Sequence, residues 1–194
     1  MILASLFMGT VVLSQGNSGP ENYLNSPASI TFNGSVYNLV WSSHPSTAYY
    51  KQEYLPKGET AERYSSMFML EVLTSKVNVK DVMANKIAEL QSMKATNPHV
   101  SFQVIQPAVS GEQILDFTLT ANAADGKQIA IAERNIYRYV PYKNKNGENG
   151  LLLIAISQRG YGSAAANFLE QQKRDKMSLT AKIKDLKIPA ISIK

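Results

Sequence analysis

The most specific chemical motif in this sequence of 194 residues is Gly160-Tyr161-Gly162-Ser163-Ala164-Ala165. A GxGxxA pattern between a strand and a helix is typical of dinucleotide-binding folds, because the glycines let the backbone approach a pyrophosphate at the helix N-terminus. Only about thirty residues follow the motif, which is too few to complete a parallel nucleotide-binding sheet. A tight turn with Ser163 as the N-cap of a helix explains the same residues, so we expect no nucleotide cofactor.

Imidazole chemistry is limited to two residues, His44 and His99, and the chain has no cysteine. Both histidines lie in segments of loop character, and the sequence contains no GxSxG nucleophile elbow. A hydrolase-type enzyme would therefore need a site assembled from dispersed residues around His44 or His99. We assign no catalytic residue, and from this composition we expect neither a metal site nor any other cofactor.

Arginine and tyrosine alternate along one predicted strand, at Arg134, Tyr137, Arg138 and Tyr139. The period of two places the two tyrosines on one face of the strand and the two arginines on the other. Both residue types are enriched at recognition surfaces, so these four residues are our candidate ligand-binding site. The alternative is an amphipathic strand whose arginines pair with neighbouring acids and whose tyrosines pack with exposed hydroxyls.

Positive charge is concentrated at the C-terminal end of the chain. The formal net charge is +5, and residues 163–194 carry seven bases against three acids. We expect Lys173, Arg174 and Lys176 to contact an anionic partner, such as an envelope protein or an anionic surface, and we expect no specific nucleic acid. The alternative is a solvated helix face rich in lysine.

Several local patterns indicate the elements that position these residues. Asn33-Gly34 between apolar alternations predicts a hairpin, because both central residues of that turn need a positive φ. An apolar stripe from Val79 to about Ala95, with Asn78 as N-cap, predicts a helix. Period-two strands are predicted at Ala48–Leu55 and Ile114–Ala123, each with one solvated face. Further along, the pattern predicts a bulge near Glu133–Asn135, a deeply buried strand at Leu151–Ser157 and a second helix that opens at Ser163.

This order of elements predicts an α+β fold. Hairpin connections imply a mainly antiparallel sheet of about six to eight strands, with two principal helices packed on one face or at the ends. We expect a single domain over residues 29–194, with a basic C-terminal helix or tail.

The first residues have the character of an export signal. Ile2–Leu13 is an uncharged apolar run, too short for a transmembrane helix and followed by polar residues with glycine and proline. We therefore expect a cleaved signal peptide and a disordered mature N-terminus over residues 1–28, no transmembrane span, and a periplasmic or secreted protein. No basic residue precedes the run, so either Met1 is not the true start or the run is a buried first element.

The segment Glu53-Tyr54-Leu55-Pro56-Lys57-Gly58-Glu59-Thr60 resembles a stretch found in small uncharacterised exported bacterial proteins. The predicted order of elements is similar to the PsbP/Mog1-like α+β arrangement. These resemblances imply an exported α+β protein and assign no catalytic residue.

The sequence thus predicts a non-catalytic binding or accessory module of the cell envelope. The hydrolase-type enzyme around His44 or His99 is the alternative, and the oligomeric state stays open.

Overall fold

A single antiparallel sheet of eight strands dominates the computed structural model, which describes residues 19–106, 109, 111–124, 126, 128–144, 147 and 149–194. The strands are β1 (Ser29–Phe32), β2 (Ser35–Ser46), β3 (Tyr49–Leu55), β4 (Ser66–Leu73), β5 (Ser101–Ile105), β6 (Gln113–Asn122), β7 (Ile129–Lys143) and β8 (Asn149–Tyr161). The predicted strand count and the mainly antiparallel pairing are confirmed.

The sheet consists of two four-stranded meanders that join at β4 and β8. Its strand order is β1-β2-β3-β4-β8-β7-β6-β5, and β4 pairs with β8 from Ser66 opposite Gln158 to Leu73 opposite Leu151. This pairing places β8 inside the sheet, with residues 150–157 all buried. The buried strand predicted at Leu151–Ser157 is therefore confirmed.

The expectation of two principal helices is wrong. The described helices are three short ones: α1 (Val79–Lys94), α2 (Ala165–Arg174) and α3 (Lys176–Asp185). The predicted C-terminal helix is divided at Asp175, beyond the point where its apolar stripe fades. The helices are minor additions to a protein built mainly on its sheet.

The helices cover both faces of the sheet, and not one face or the ends as expected. Val82 and Leu90 of α1 pack with Leu115 and Leu153 on one face, here called the α1 face. Leu179 and Ile183 of α3 pack with buried residues of β4, β7 and β8 on the opposite face, here called the α2–α3 face. Two hydrophobic cores therefore enclose the sheet as a middle layer.

Coverage of both faces corrects two strand predictions. β3 and β6 were each expected to have one solvated face, yet Gln52 and Glu53 of β3 are both buried, as are Asp116 and Thr120 of β6. Their polar side chains point into covered interfaces, where hydrogen bonds and ion pairs offset the loss of water. In these strands, the alternating polar side chains form buried contacts and do not face solvent.

The predicted bulge lies at a different position. Ala121 pairs with Ile131 and Asn122 pairs with Ile129, so the extra residue of β7 is Ala130, while residues 133–135 pair without interruption. The change of parity that suggested a bulge at Glu133–Asn135 has a simpler cause. A strand covered on both faces places apolar residues on both.

The hairpin and the first helix form as predicted. Asn33 and Gly34 have φ values of 51° and 79° and connect β1 to β2. The Asn78 side chain accepts a hydrogen bond of 2.8 Å from the Lys80 backbone N–H, and this bond caps α1. Both features depend on a few adjacent residues, which is why local sequence was sufficient to predict them.

The packed region extends N-terminal of residue 29. Leu24 is fully buried, and its N–H donates to Gln52 Oε1 at 2.8 Å. The Ser192 N–H donates to the Leu24 carbonyl at 2.9 Å, which joins the two ends of the described chain. The predicted signal peptide falls mainly on residues 1–18, which lie outside the described residues. None of the helices in the described part of the chain combines the length and apolar character needed to cross a membrane.

Candidate functional site

A groove of about 410 Å³ lies on the α2–α3 face, between α2 and the strands β5 and β6. Ser101 and Thr118 come from the strands, and Leu169 and Lys173 come from α2. Ala166, Ile129 and Phe102 add apolar surface to the lining. Concave sites with a mainly apolar lining and a few polar groups are typical of ligand-binding sites, so this groove is the candidate functional site.

The glycine-rich motif positions the helix that forms one wall of the groove. A Cβ atom on Gly160 would lie 2.5 Å from Phe168 Cβ, so only glycine lets α2 approach β8 this closely. Gly162 has a φ of +52° and begins a short 3₁₀ turn that leads into α2. The predicted Ser163 N-cap is wrong, since the N-cap of α2 is Ala164 and no side chain caps it. The motif therefore allows α2 to pack closely against β8.

Arg134 and Asp116 form a buried ion pair at the base of the groove. Arg134 Nε donates to Asp116 Oδ1 at 3.0 Å, and Arg134 Nη2 donates to Asp116 Oδ2 at 2.9 Å. Arg134 also donates to Gln172 of α2 at 2.8 Å and to Thr180 of α3 at 3.2 Å. The guanidinium therefore connects the sheet to both C-terminal helices.

Arg138 makes a second connection of the same kind. Its Nε and Nη2 donate to the Glu112 carboxylate at 2.9 and 3.1 Å, and its Nη1 donates to the carbonyls of Ile183 and Leu186. Arg138 is only 5% exposed. These contacts satisfy a charged group that would otherwise be costly to bury. For both arginines, the geometry favours the alternative interpretation, in which they pair with neighbouring acids.

Tyr137 and Tyr139 lie on the opposite, α1 face of the same strand. The Tyr137 ring packs edge-on against Phe117, with 4.8 Å between ring centroids. Burial raises the pKa of both tyrosines, and the nearby Glu71 carboxylate raises it further. The predicted division of arginines and tyrosines between faces is correct, and it means that the four candidate residues do not share one site.

The basic candidates lie on or beside α2. Lys173 lines the groove and is 71% exposed, and its ammonium donates to Glu170 at 2.6 Å. This contact lowers the pKa of the Glu170 carboxylate. Arg174 is exposed at the end of α2. Lys176 opens α3, and its side chain lies outside the described part of the structure.

The two histidines have different surroundings. The His44 ring stacks on Tyr50, with ring centroids 4.1 Å apart, and covers the core beside β3. His99 lines the groove. Among the described residues, no carboxylate forms a hydrogen bond to the His99 ring, and the groove's two carboxylates, Asp116 and Glu170, are paired with Arg134 and Lys173.

Residues 24–188 match the model of one protein family, which is uncharacterised. The chain belongs to this family. No curated protein and no solved structure matches the chain, so the PsbP/Mog1-like arrangement has no support from these comparisons. The matched span contains every strand and helix described above, and it therefore includes the groove and both buried arginines.

A second polar cluster lies on the α1 face of this family member. Lys51 Nζ lies 2.9 Å from Glu53 Oε1 and 3.6 Å from Glu71 Oε1. Burial lowers the pKa of Lys51, but the carboxylates of Glu71 and Glu53 outweigh it, so the pKa is raised. Tyr49 donates to Glu71 at 2.7 Å, and burial together with that carboxylate raises its pKa. These groups satisfy one another, so the cluster has the character of a structural network.

A third polar cluster on the same face is equally self-contained. Glu133 accepts hydrogen bonds from Asn135 at 2.7 Å, from Tyr64 at 3.3 Å and from the Arg159 guanidinium. The Arg159 guanidinium also lies over the Tyr64 ring, 4.3 Å from its centroid. Neither network was predicted, although charged residues within otherwise apolar strands can indicate buried ion pairs. Within the described residues, no group of three or more His, Asp or Glu side chains is placed to hold a metal ion.

Proposed function

We propose that this protein is an exported, non-catalytic binding module of the cell envelope, which binds an acidic partner protein at the groove between α2 and β5. The groove supports this proposal because it combines apolar surface from Leu169 and Ile129 with the exposed ammonium of Lys173. The basic surplus of residues 163–194 lies on α2, which forms one wall of the groove, on the adjacent α3 and on the segment that follows them. Charge complementarity of this kind accelerates association and favours anionic partners.

The state of the charged groups in the groove supports binding over catalysis. A general base needs a free acceptor within hydrogen-bond reach of its substrate. Asp116 accepts hydrogen bonds from Nε and Nη2 of the Arg134 guanidinium, and Glu170 accepts from Lys173. His99 lines the groove, but among the described residues no carboxylate bonds to its ring, so the hydrolase alternative around His44 or His99 has less support. Export rests on the apolar run Ile2–Leu13, whose length suits a cleaved leader.

The binding part of the proposal is tested with charge reversal at the groove. The variant Lys173→Glu/Arg174→Glu/Lys176→Glu reverses Lys173 in the groove and two neighbouring bases, and it is compared with Lys76→Glu/Lys80→Glu/Lys94→Glu, which reverses three exposed charges beside and on α1. The probe is a fluorescent polyglutamate peptide, and the readout is its Kd at near-physiological salt. We expect the first variant to weaken binding about tenfold or more, equivalent to about 1.4 kcal/mol, and the control to change it far less. Equal losses in both variants would show only a general effect of net charge.

The export part is tested by N-terminal sequencing of the protein recovered from envelope and medium fractions of expressing bacteria. We expect a mature N-terminus within residues 15–22, before the buried Leu24. A full-length chain confined to the cytoplasmic fraction would contradict export.

A further inference from the structure

Within the described part of the chain, the edge strand β5 carries no charge, proline or bulge that would protect the edge of the sheet. It is the last strand in the sheet order and pairs only with β6 among the described strands. Its residues, SFQVI, include neither a charge nor a proline, and Val104 is 42% exposed. Natural edge strands are commonly protected by lysine, proline, bulges or a covering element, because their outer row of N–H and C=O groups pairs readily with another strand.

The opposite edge of the sheet is protected. β1 and β5 are similarly short, at four and five residues, but the Lys182 side chain of α3 donates to Asn33 in the turn beside β1. The contrast between the two edges points to a function for β5.

We propose that the β5 edge accepts an extended acidic segment of a partner protein as a ninth strand, whose alternate side chains enter the groove. This inference rests on the proposed function and specifies the form of the partner. Strand addition supplies affinity through main-chain hydrogen bonds, and neighbouring pockets for alternate side chains supply specificity.

The position of the groove fits a strand added at this edge. Ser101 and Gln103 of β5 pair with Thr118 and Asp116 of β6, and Ser101, Thr118 and Asp116 line the groove. A neighbouring strand lies about 4.8 Å away, and every second side chain points to the same face. Such side chains would meet Leu169 and Ala166 on α2, and an acidic side chain beside them would meet the exposed Lys173, where it would compete with Glu170 for the ammonium.

A second copy of this chain fits the edge less well than a peptide. Pairing of two β5 strands would span only five residues, or about 17 Å. A contact of this length buries far less than the roughly 1,200 Å² of a stable protein interface. A peptide that adds main-chain hydrogen bonds and also fills the groove does not depend on a large interface, and the basic α2–α3 segment favours acidic residues in it.

The test uses fluorescent peptides of about seven residues in which valine and glutamate alternate at every second position with threonine between them, so that one face carries both types of side chain; this length covers β5. Two controls are a peptide with lysine in place of glutamate and an N-methylated acidic peptide that cannot form the outer hydrogen bonds. We expect measurable binding only for the unmodified acidic peptide. Equal binding of the N-methylated peptide, or no binding of the acidic peptide up to about 1 mM, would overturn the inference.

Two proline variants separate strand addition from loss of folding. In an antiparallel edge strand, adjacent residues alternate between an N–H bonded to the neighbouring strand and an N–H that points outward. Of Gln103→Pro and Val104→Pro, one therefore breaks the pairing with β6 and lowers the Tm, whereas the other keeps a Tm close to wild type. We expect the stable variant to lose peptide binding at least tenfold. Unchanged binding by that variant would overturn strand addition.

The outcomes also distinguish this inference from the proposed function. If polyglutamate binding depends on Lys173 but is unchanged in the outward proline variant, the groove is an anion-binding site and strand addition is ruled out. If the wild-type protein binds neither polyglutamate nor the peptide, the proposed function is contradicted as well. Sedimentation could also show that the wild-type protein is a dimer and that the outward proline variant is a monomer. That result would identify a second copy as the occupant of the β5 edge and contradict binding of a partner peptide.

Discussion

The two arginines of β7 show how single residues hold the architecture together. Arg134 and Arg138 are four residues apart on one face of the strand, and their partners Asp116 and Glu112 are also four residues apart. This matched spacing was visible in the sequence and could have identified the pairs. The arginine–tyrosine alternation alone could not, because it is equally typical of an exposed recognition strand.

Replacing Arg138 is expected to destabilise the fold strongly. In Arg138→Met, the buried Glu112 carboxylate loses its counter-charge, and the carbonyls of Ile183 and Leu186 lose a donor. We expect a loss of about 3–5 kcal/mol in the free energy of unfolding, measured by urea denaturation. Lys173→Met, at an exposed site, should change the same quantity by less than about 0.5 kcal/mol.

The double variant Arg138→Met/Glu112→Leu provides the control for this mechanism. Removal of both charges should recover much of the loss, since apolar replacements of buried ion pairs are often neutral. A double variant as unstable as Arg138→Met would show that the cost arises from packing or from the lost hydrogen bonds to Ile183 and Leu186, and not from the unpaired charge.

The buried tyrosines predict how stability depends on alkaline pH. Burial raises the pKa of Tyr49, Tyr64, Tyr137 and Tyr139 above the ordinary value of 10.0. Below pH 10 these phenols are protonated in both folded and unfolded chains, so their contribution to stability is constant. Above pH 10 the unfolded chain releases protons that the folded chain retains, and stability falls as pH rises.

Ultraviolet absorbance of phenolate and circular dichroism during an alkaline titration measure this effect. We expect the buried tyrosines to ionise only together with cooperative unfolding. Tyr137→Phe should reduce the amplitude of that step and shift its midpoint to higher pH. Smooth ionisation of all tyrosines near pH 10 with a folded dichroism spectrum would contradict the burial described here.

At the scale of elements, local patterns were predicted well and their packing was not. The Asn33-Gly34 hairpin and α1 depend on adjacent residues, whereas the two halves of the divided C-terminal helix each contact the distant strand β7 through Arg134. The groove follows from such a contact, because Phe168 places α2 against Gly160 of β8. A glycine motif with two possible meanings could not establish this contact from sequence.

Enlarging Gly160 is expected to displace α2. In Gly160→Ala the new methyl would lie 2.5 Å from Phe168 Cβ and 2.8 Å from Phe168 Cγ. We expect a loss of about 1–3 kcal/mol in the free energy of unfolding, as for other overpacked sites, and faster hydrogen exchange in residues 165–174. Gly19→Ala, whose Cβ meets no atom within 4 Å, is the matched control and should change little.

A double-mutant cycle with Phe168→Ala identifies the source of the strain. Gly160→Ala should cost much less in the Phe168→Ala background, where the ring is absent. An equal cost in both backgrounds would show that the glycine is required for backbone conformation and not for helix packing.

At the scale of the whole molecule, the sheet is a middle layer between two cores. The α+β class, a mainly antiparallel sheet of about six to eight strands and the deep burial of Leu151–Ser157 were predicted from hairpin signals and apolar runs. Coverage of both faces did not, because Asp116 and Thr120 have the polar alternation that a solvated face would also produce. The same arrangement creates the candidate site, since α2 ends beside the unprotected edge strand β5.

Backbone amide hydrogen exchange of the full-length protein, with and without the alternating valine–glutamate peptide, tests the binding surface most directly. We predict that the peptide slows exchange in residues 101–105 of β5 and residues 165–174 of α2. Exchange in β1, β2 and α1 should not change. Protection centred on β1 or α1, with β5 unchanged, would contradict this prediction.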